Sequence, residues 1–253
     1  MSIIKAQGSG EVSTGFYPYK IDQSLRFDIG RSTNLTRTVG SPSDGKKATW
    51  SWWMKKSDIT ADTSISYKSI FYSGSPNSDG FRIGFFRYGD GNYNVHALMV
   101  NHDNGSSAAH MFVLTSAIYR DVSGWYHFVV SYDSTDSTAA DRIKIYVNGT
   151  QQTINTSSSW ASANYPSLNH IPSFQVSGKT LRIGGGRTDV NEHIGGYLAE
   201  VNFIDGTAYD ASNFGETIDG VWVAKDSSGL TFGNNGFHLT FKDDVVSEGF
   251  NTV

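Results

Sequence analysis

A chain of 253 residues with a net charge of −4 and an isoelectric point near 5.9 lacks the clustered Lys and Arg that nucleic acid or an anionic membrane surface would require. It contains no cysteine, which excludes disulfide scaffolding and thiolate metal centres. Glycine is abundant at 27 residues, aromatics reach 13%, and charged residues are only 17% against about 25% in average globular chains, a balance that suits one large domain of short strands and polar turns.

Residues 1–23 are rich in Ser, Gly and Gln and hold no apolar run, so neither a secretion signal nor a membrane span is expected, and synthesis in a cytoplasm is. Phe16, Tyr17 and Tyr19 cluster around Pro18 and read as an arm that packs on its own domain or docks on a neighbouring subunit. Leu25, Phe27 and Ile29 alternate with polar residues as a first strand, and Trp50, Trp52 and Met54 alternate with Ser51, Trp53 and Lys55 in a second. Strands are then expected at 69–73, 80–86, 93–100 and 110–115, separated by glycine loops such as Gly89-Asp90-Gly91.

The clearest pattern follows. From Trp125 to Tyr132 both faces carry bulk, with Trp125, His127 and Val129 on one and Tyr126, Phe128, Val130 and Tyr132 on the other, so this strand is expected to be central and covered on both sides. Ile143, Ile145 and Val147 keep a strict period of two, and Asn148-Gly149 predicts a tight turn into a strand at 150–154. Residues 155–179 form a long polar segment, which is expected to be functional or folded back on the domain. Strands around Leu181, Ile183, 197–203 and 237–241 complete the pattern, and 243–253 read as a polar tail. No helix is expected. The reading is an all-β, two-sheet antiparallel sandwich over 24–242, preceded by the arm at 1–23 and followed by the tail.

The run Gly124-Trp125-Tyr126-His127-Phe128-Val129-Val130, with Tyr132-Asp133 and then Ile145-Tyr146-Val147-Asn148-Gly149, resembles the laminin-G, pentraxin and concanavalin A-like sandwich superfamily. Residues 194–209 (IGGYLAEVNFIDGTAY), together with Phe214-Gly215-Glu216, resemble a version of it found in virion structural proteins of marine bacteriophages. With Leu25-Arg26-Phe27, Trp50-Ser51-Trp52-Trp53 and Gly236-Phe237-His238-Leu239, the resemblance spans most of the chain. It implies a jelly roll whose terminal strands lie beside one another. It also implies a non-catalytic protein exposed on a virion, as a fibre, a tail adhesin or a capsid decoration, assembled in the host cytoplasm. The arm would attach it to other virion proteins, the sandwich would contact host surface glycans, and a homo-oligomer such as a trimer would be expected. A free carbohydrate-binding lectin and a glycoside hydrolase are the alternatives.

Glycosidases of related fold carry a Glu-x-Asp-x-x-Glu strand, because glycoside cleavage needs two converging acids. Here Glu200 is followed two residues on by Asn202, so no enzyme is expected. Calcium, a metal of some laminin-G-like and pentraxin-like domains, would need loop carboxylates. Asp79, Asp90, Asp103, Asp133 and Asp205 match no calcium-loop motif and read first as turn formers, so no cofactor is expected and calcium stays an alternative without a motif behind it. The seven histidines show no metal-ligand spacing, and His127 reads as a hydrogen-bonded core imidazole. Gly184-Gly185-Gly186 opens no helix and is no phosphate cradle. Sugar sites pair flat rings with polar neighbours, which singles out Trp160 and Tyr165 in the long segment and Tyr88 and Tyr93 beside the 89–91 turn; the same rings could equally cap the sandwich.

Overall fold

The computed structural model describes residues 16–30, 33–59, 67–75, 79–86, 96–103, 110–156, 163–186 and 192–252. In chain order its strands begin with β1 (Leu25–Phe27), β2 (Leu35–Thr38), β3 (Lys47–Lys56), β4 (Tyr67–Ser75), β5 (Asp79–Phe86), β6 (Ala97–Asp103), β7 (Met111–Ile118) and β8 (Tyr126–Asp133). They continue as β9 (Ile143–Val147), β10 (Thr150–Gln151), β11 (Thr180–Ile183), β12 (Gly196–Asp205), β13 (Gly215–Ile218), β14 (Val221–Ala224), β15 (Phe237–Leu239) and β16 (Asn251–Thr252). Helical structure among the described residues amounts to three short 3-10 turns.

Two seven-stranded antiparallel sheets result. The first runs β1-β12-β3-β8-β9-β10 with β15 also on β12, the second runs β16-β2-β11-β4-β5-β6-β7, and β13-β14 stand apart as a hairpin. The expected all-β sandwich is therefore the observed one. The terminal strands do lie beside one another, but end to end: β1 pairs with Gly196–Leu198 and β15 with Val201–Phe203 on the same neighbour. Residue Phe250 is buried, and Asn251–Thr252 add an edge to the second sheet beside β2.

The period of two in β3 builds the core. Trp50, Trp52 and Met54 point inward and are at most 1% exposed. Trp50 stacks on Phe203 at 4.2 Å and meets Phe71 of the opposite sheet at 4.5 Å, while Trp52 meets Phe71 at 5.0 Å and Phe128 at 5.4 Å. The long segment folds back as the second alternative required: Phe174 on a 3-10 turn enters the core against Phe81 at 4.4 Å, and Ser173 receives the Phe81 amide and donates to the Ser73 carbonyl.

The β8 strand is central, between β3 and β9. Its outer face is covered by residues 206–235, whose Ala211 and Phe214 pack with Val129 and Ile204 while Tyr146, Tyr209 and Trp222 close the cluster. That covering rests on a hairpin that sequence periodicity missed. Asp219 and Gly220 take φ of 49° and 80°, as a two-residue turn demands, and their hairpin lays Trp222 over His127. Trp222 Nε1 donates to His127 Nδ1 at 3.0 Å. An indole nitrogen can only donate, so the imidazole proton sits on Nε2 and is given to Ser51 Oγ at 2.9 Å. One expectation is corrected: Trp125 precedes β8 rather than joining its covered face, and is 39% exposed.

Asn148 and Gly149 adopt φ of 46° and 79°, which confirms the predicted turn, although β10 ends at Gln151. Gly149 has a second constraint: a Cβ there would stand 2.4 Å from the Trp222 ring. Gly149→Ala is therefore expected to cost about 2–3 kcal/mol in urea unfolding, combining backbone strain with a clash; a loss below about 0.5 kcal/mol would mean the hairpin yields freely. Burial drives His127 from 6.5 down to about 3. The unfolded chain takes up this proton below pH 6.5 and the folded one refuses it until about 3, so stability falls by about 1.4 kcal/mol per pH unit as pH drops through that window. Stability measured against pH should be flatter in His127→Gln than in the parent between pH 6 and 4, and equal slopes would show that the folded chain protonates this ring.

Candidate functional site

On the outer face of the first sheet, next to the Trp222 hairpin, a groove of about 540 Å³ lies between the segment 17–24 and the sheet. Its volume falls in the range of ordinary small-molecule clefts. Aromatic rings dominate the lining: Tyr17 and Tyr19 on the arm side, Trp53, Trp125 and Trp222 on the sheet side. Each ring has a local cause. Trp53 is an outward position of β3 and stacks on His127 at 4.9 Å, paired across the ladder with it. Trp125 follows a tight turn in which Asp121 accepts from the Ser123 amide at 2.7 Å and hydroxyl at 2.6 Å, and the Asp121 amide donates to Tyr126 Oη. Trp222 is locked from the rear by its bond to His127.

Within the described part of the arm, Tyr19 lies against Glu200, and burial followed by that carboxylate raises its phenol above the ordinary value. Glu200 takes a left-handed φ of 46° at a β-bulge of β12, a costly conformation for a non-glycine residue that swings its carboxylate out of the ladder. His238 Nε2 donates to the same carboxylate at 2.5 Å, so Glu200 is engaged from two sides and only 6% exposed. Phe16 and Tyr17 remain 41% and 54% exposed beyond this anchor.

Chemically the groove can stack and hydrogen-bond. Among the described residues its lining holds one carboxylate, Asp22, which Lys20 pairs at 2.9 Å and keeps below its usual range. Glu200 stays behind Tyr19 and outside the lining, so the two opposed acids of glycoside cleavage are not brought together there. The sequence-predicted rings are placed differently. Tyr165 is half-buried against the main core, whereas Trp160, Tyr88 and Tyr93 lie outside the described residues. Trp53, Trp125 and Trp222 were not singled out, because only the fold reveals that three distant segments share one outer face.

The aspartates have protein partners. Asp79 is paired with Lys179 at 2.9 Å and His102 at 2.7 Å, Asp103 with Arg82 at 2.6 Å and Asp133 with Lys47 at 3.2 Å, while Asp205 accepts from the Ser43 and Asn235 amides. Asp90 lies outside the described residues. The histidines bring one surprise: His102, His110 and His170, without any spacing motif, converge at one end of the second sheet.

No family model matches the sequence, and neither does any curated protein. Among solved structures the chain is similar to a Bacteroides ovatus protein to which carbohydrate binding has been provisionally assigned, with a TM-score of 0.52 and 15% identity over 93% of this chain and 60% of that one. It thus spans about 60% of that relative's length. Weaker similarities are to a Limulus polyphemus pentraxin (TM-score 0.43, 16% identity, 74% of each chain) and to tailspike protein 2 of bacteriophage CBA120 (TM-score 0.47, 12% identity, 76% of this chain and 26% of that one). At such identities the likeness concerns fold alone. The chain is a concanavalin A-like β-sandwich.

Proposed function

We propose that the chain is a non-catalytic attachment module of a virion surface that contacts host glycans through the groove beside Tyr17, Trp53 and Trp125. The observation that carries the reading is a cleft of about 540 Å³ walled by Tyr17, Tyr19, Trp53, Trp125 and Trp222, in which no two acids converge among the described residues. Flat rings stack on the apolar faces of pyranoses, and a strand-mounted ring such as Trp53 loses little freedom on binding. The virion assignment rests on the resemblance of residues 194–209 and 214–216 to bacteriophage structural proteins. Carbohydrate binding draws further support from the provisional assignment of the Bacteroides ovatus protein that shares the fold. The arm at 1–23 is the proposed tether to other virion proteins, with Tyr19 as its fixed point on the sandwich and Phe16 and Tyr17 exposed beyond it. A homo-oligomer would multiply weak glycan contacts by avidity.

Glycan-array binding by the purified chain tests the site. Trp125→Ala and Tyr17→Ala, both at exposed positions, should each weaken binding by about tenfold, corresponding to a lost ring contact of roughly 1.4 kcal/mol. Binding that survives these changes but is lost in Trp160→Ala with Tyr165→Ala moves the site to the long segment, and no binding to any glycan removes this part of the reading. Deleting residues 1–15 should abolish incorporation into particles while leaving the melting temperature unchanged, because the Tyr19–Glu200 anchor is retained. Normal incorporation of the shortened chain would refute the tether.

A further inference from the structure

We propose that His102, His110 and His170 form a site for one transition-metal dication of the zinc, nickel and copper class. All seven histidines of the chain are among the described residues, and these three meet although they come from β6, the residue just before β7 and the long segment before β11. Their ring centroids are separated by 5.1, 5.0 and 5.1 Å. A metal bound at about 2.1 Å to one nitrogen of each of three imidazoles, at near-tetrahedral angles, sets ring centroids about 5 Å apart. Three near-equal separations of that size fit a shared centre, although single ring pairs elsewhere in the chain, such as Trp53 and His127 at 4.9 Å, pack at the same distance.

The nitrogens are partly arranged for it. His102 Nδ1 and His170 Nε2 face one another at 2.9 Å. His102 Nε2 meets Asp79 Oδ1 at 2.7 Å, and the other oxygen of that carboxylate is held by Lys179 at 2.9 Å. A carboxylate that accepts from one imidazole nitrogen leaves the other with its lone pair, which is the outer-shell device that orients metal-bound histidines. Since His102 Nδ1 therefore accepts, His170 donates its Nε2 proton to it.

As the side chains stand, no three ligating groups among the described residues already converge on a metal position. Two adjustments separate the arrangement from a loaded site. His170 must carry its single proton on Nδ1 instead of Nε2, a tautomer change with no change in charge, and His110 must turn its ring toward the other two. His110 is exposed, so that rotation meets little resistance, and it places the third ligand at the solvent entrance while His102, 2% exposed, forms the floor. Nitrogen donors select against calcium and magnesium, which prefer oxygen, and the absence of cysteine leaves imidazole as the borderline-soft ligand.

Titration calorimetry of tag-free protein with zinc chloride, alongside magnesium and calcium chlorides, tests this. Zinc should bind saturably with one equivalent per chain, while magnesium and calcium should give no heat. His110→Ala, at an exposed position that leaves the metal-free melting temperature unchanged, should abolish that binding, and Asp79→Asn should weaken it by about 10–100-fold. Cobalt(II) should give the visible absorption of a low-coordinate nitrogen site in the parent and none in His110→Ala. Absence of saturable zinc binding overturns the proposal. So does a His110→Ala isotherm that overlays the parent, or loss of binding in His238→Ala instead.

Discussion

Trp50 is the contact on which the two sheets depend. It sits in β3, stacks on Phe203 beside it, reaches Phe71 across the sandwich and meets Phe174 edge-on at 5.8 Å, so one indole joins both layers and the returning segment. A ring of this size buries a large apolar area, and its neighbours cannot shift without opening a void that costs several kcal/mol. Everything outside the core is positioned by that fixed centre. The next residue inward, Trp52, sets the register of β3 on β8 through Phe128, and with it the outward pair Trp53 and His127.

The outer face of the first sheet repeats the logic with a polar element. His127 is neutral, stacked against Trp53 and Trp222, and bonded at both nitrogens. Its ring binds the 206–235 covering to the sheet, and Gly149 and Gly215 approach Trp222 too closely for any side chain. Glu200 plays the matching part for the arm. Trp222, held by His127, and Tyr19, beside Glu200, both line the groove.

What could be read in the sequence was read where burial imposes a period. β9 buries alternate residues, β3 and β8 carry bulk on both faces because both faces are covered, and Asn148-Gly149 has a backbone requirement that few other pairs meet. β2 escaped because only Leu35 of its four residues is buried. The β13-β14 hairpin escaped because it lies over another sheet and shows no alternation, although Asp219-Gly220 between Ile218 and Val221 was a usable turn signal. Trp125 was assigned to a covered face because the alternation was carried one residue beyond the strand. The groove and the histidine cluster were beyond reach, since His102 and His170 are 68 positions apart and only strand order brings them together.

The sheet margins have a consequence for assembly. The first sheet ends in the two-residue β10 on one side and in the three-residue β1 and β15 on the other, and the second ends in β16, of two residues, and in β7, whose open side is bridged by Asn164 to Phe112 and by Ile154 to Thr115. A strand presented for so short a length, or already occupied by its own chain, offers no template for adding another molecule's strand. Among the described residues, these margins therefore give a second copy only short or partly occupied edges on which to add a strand.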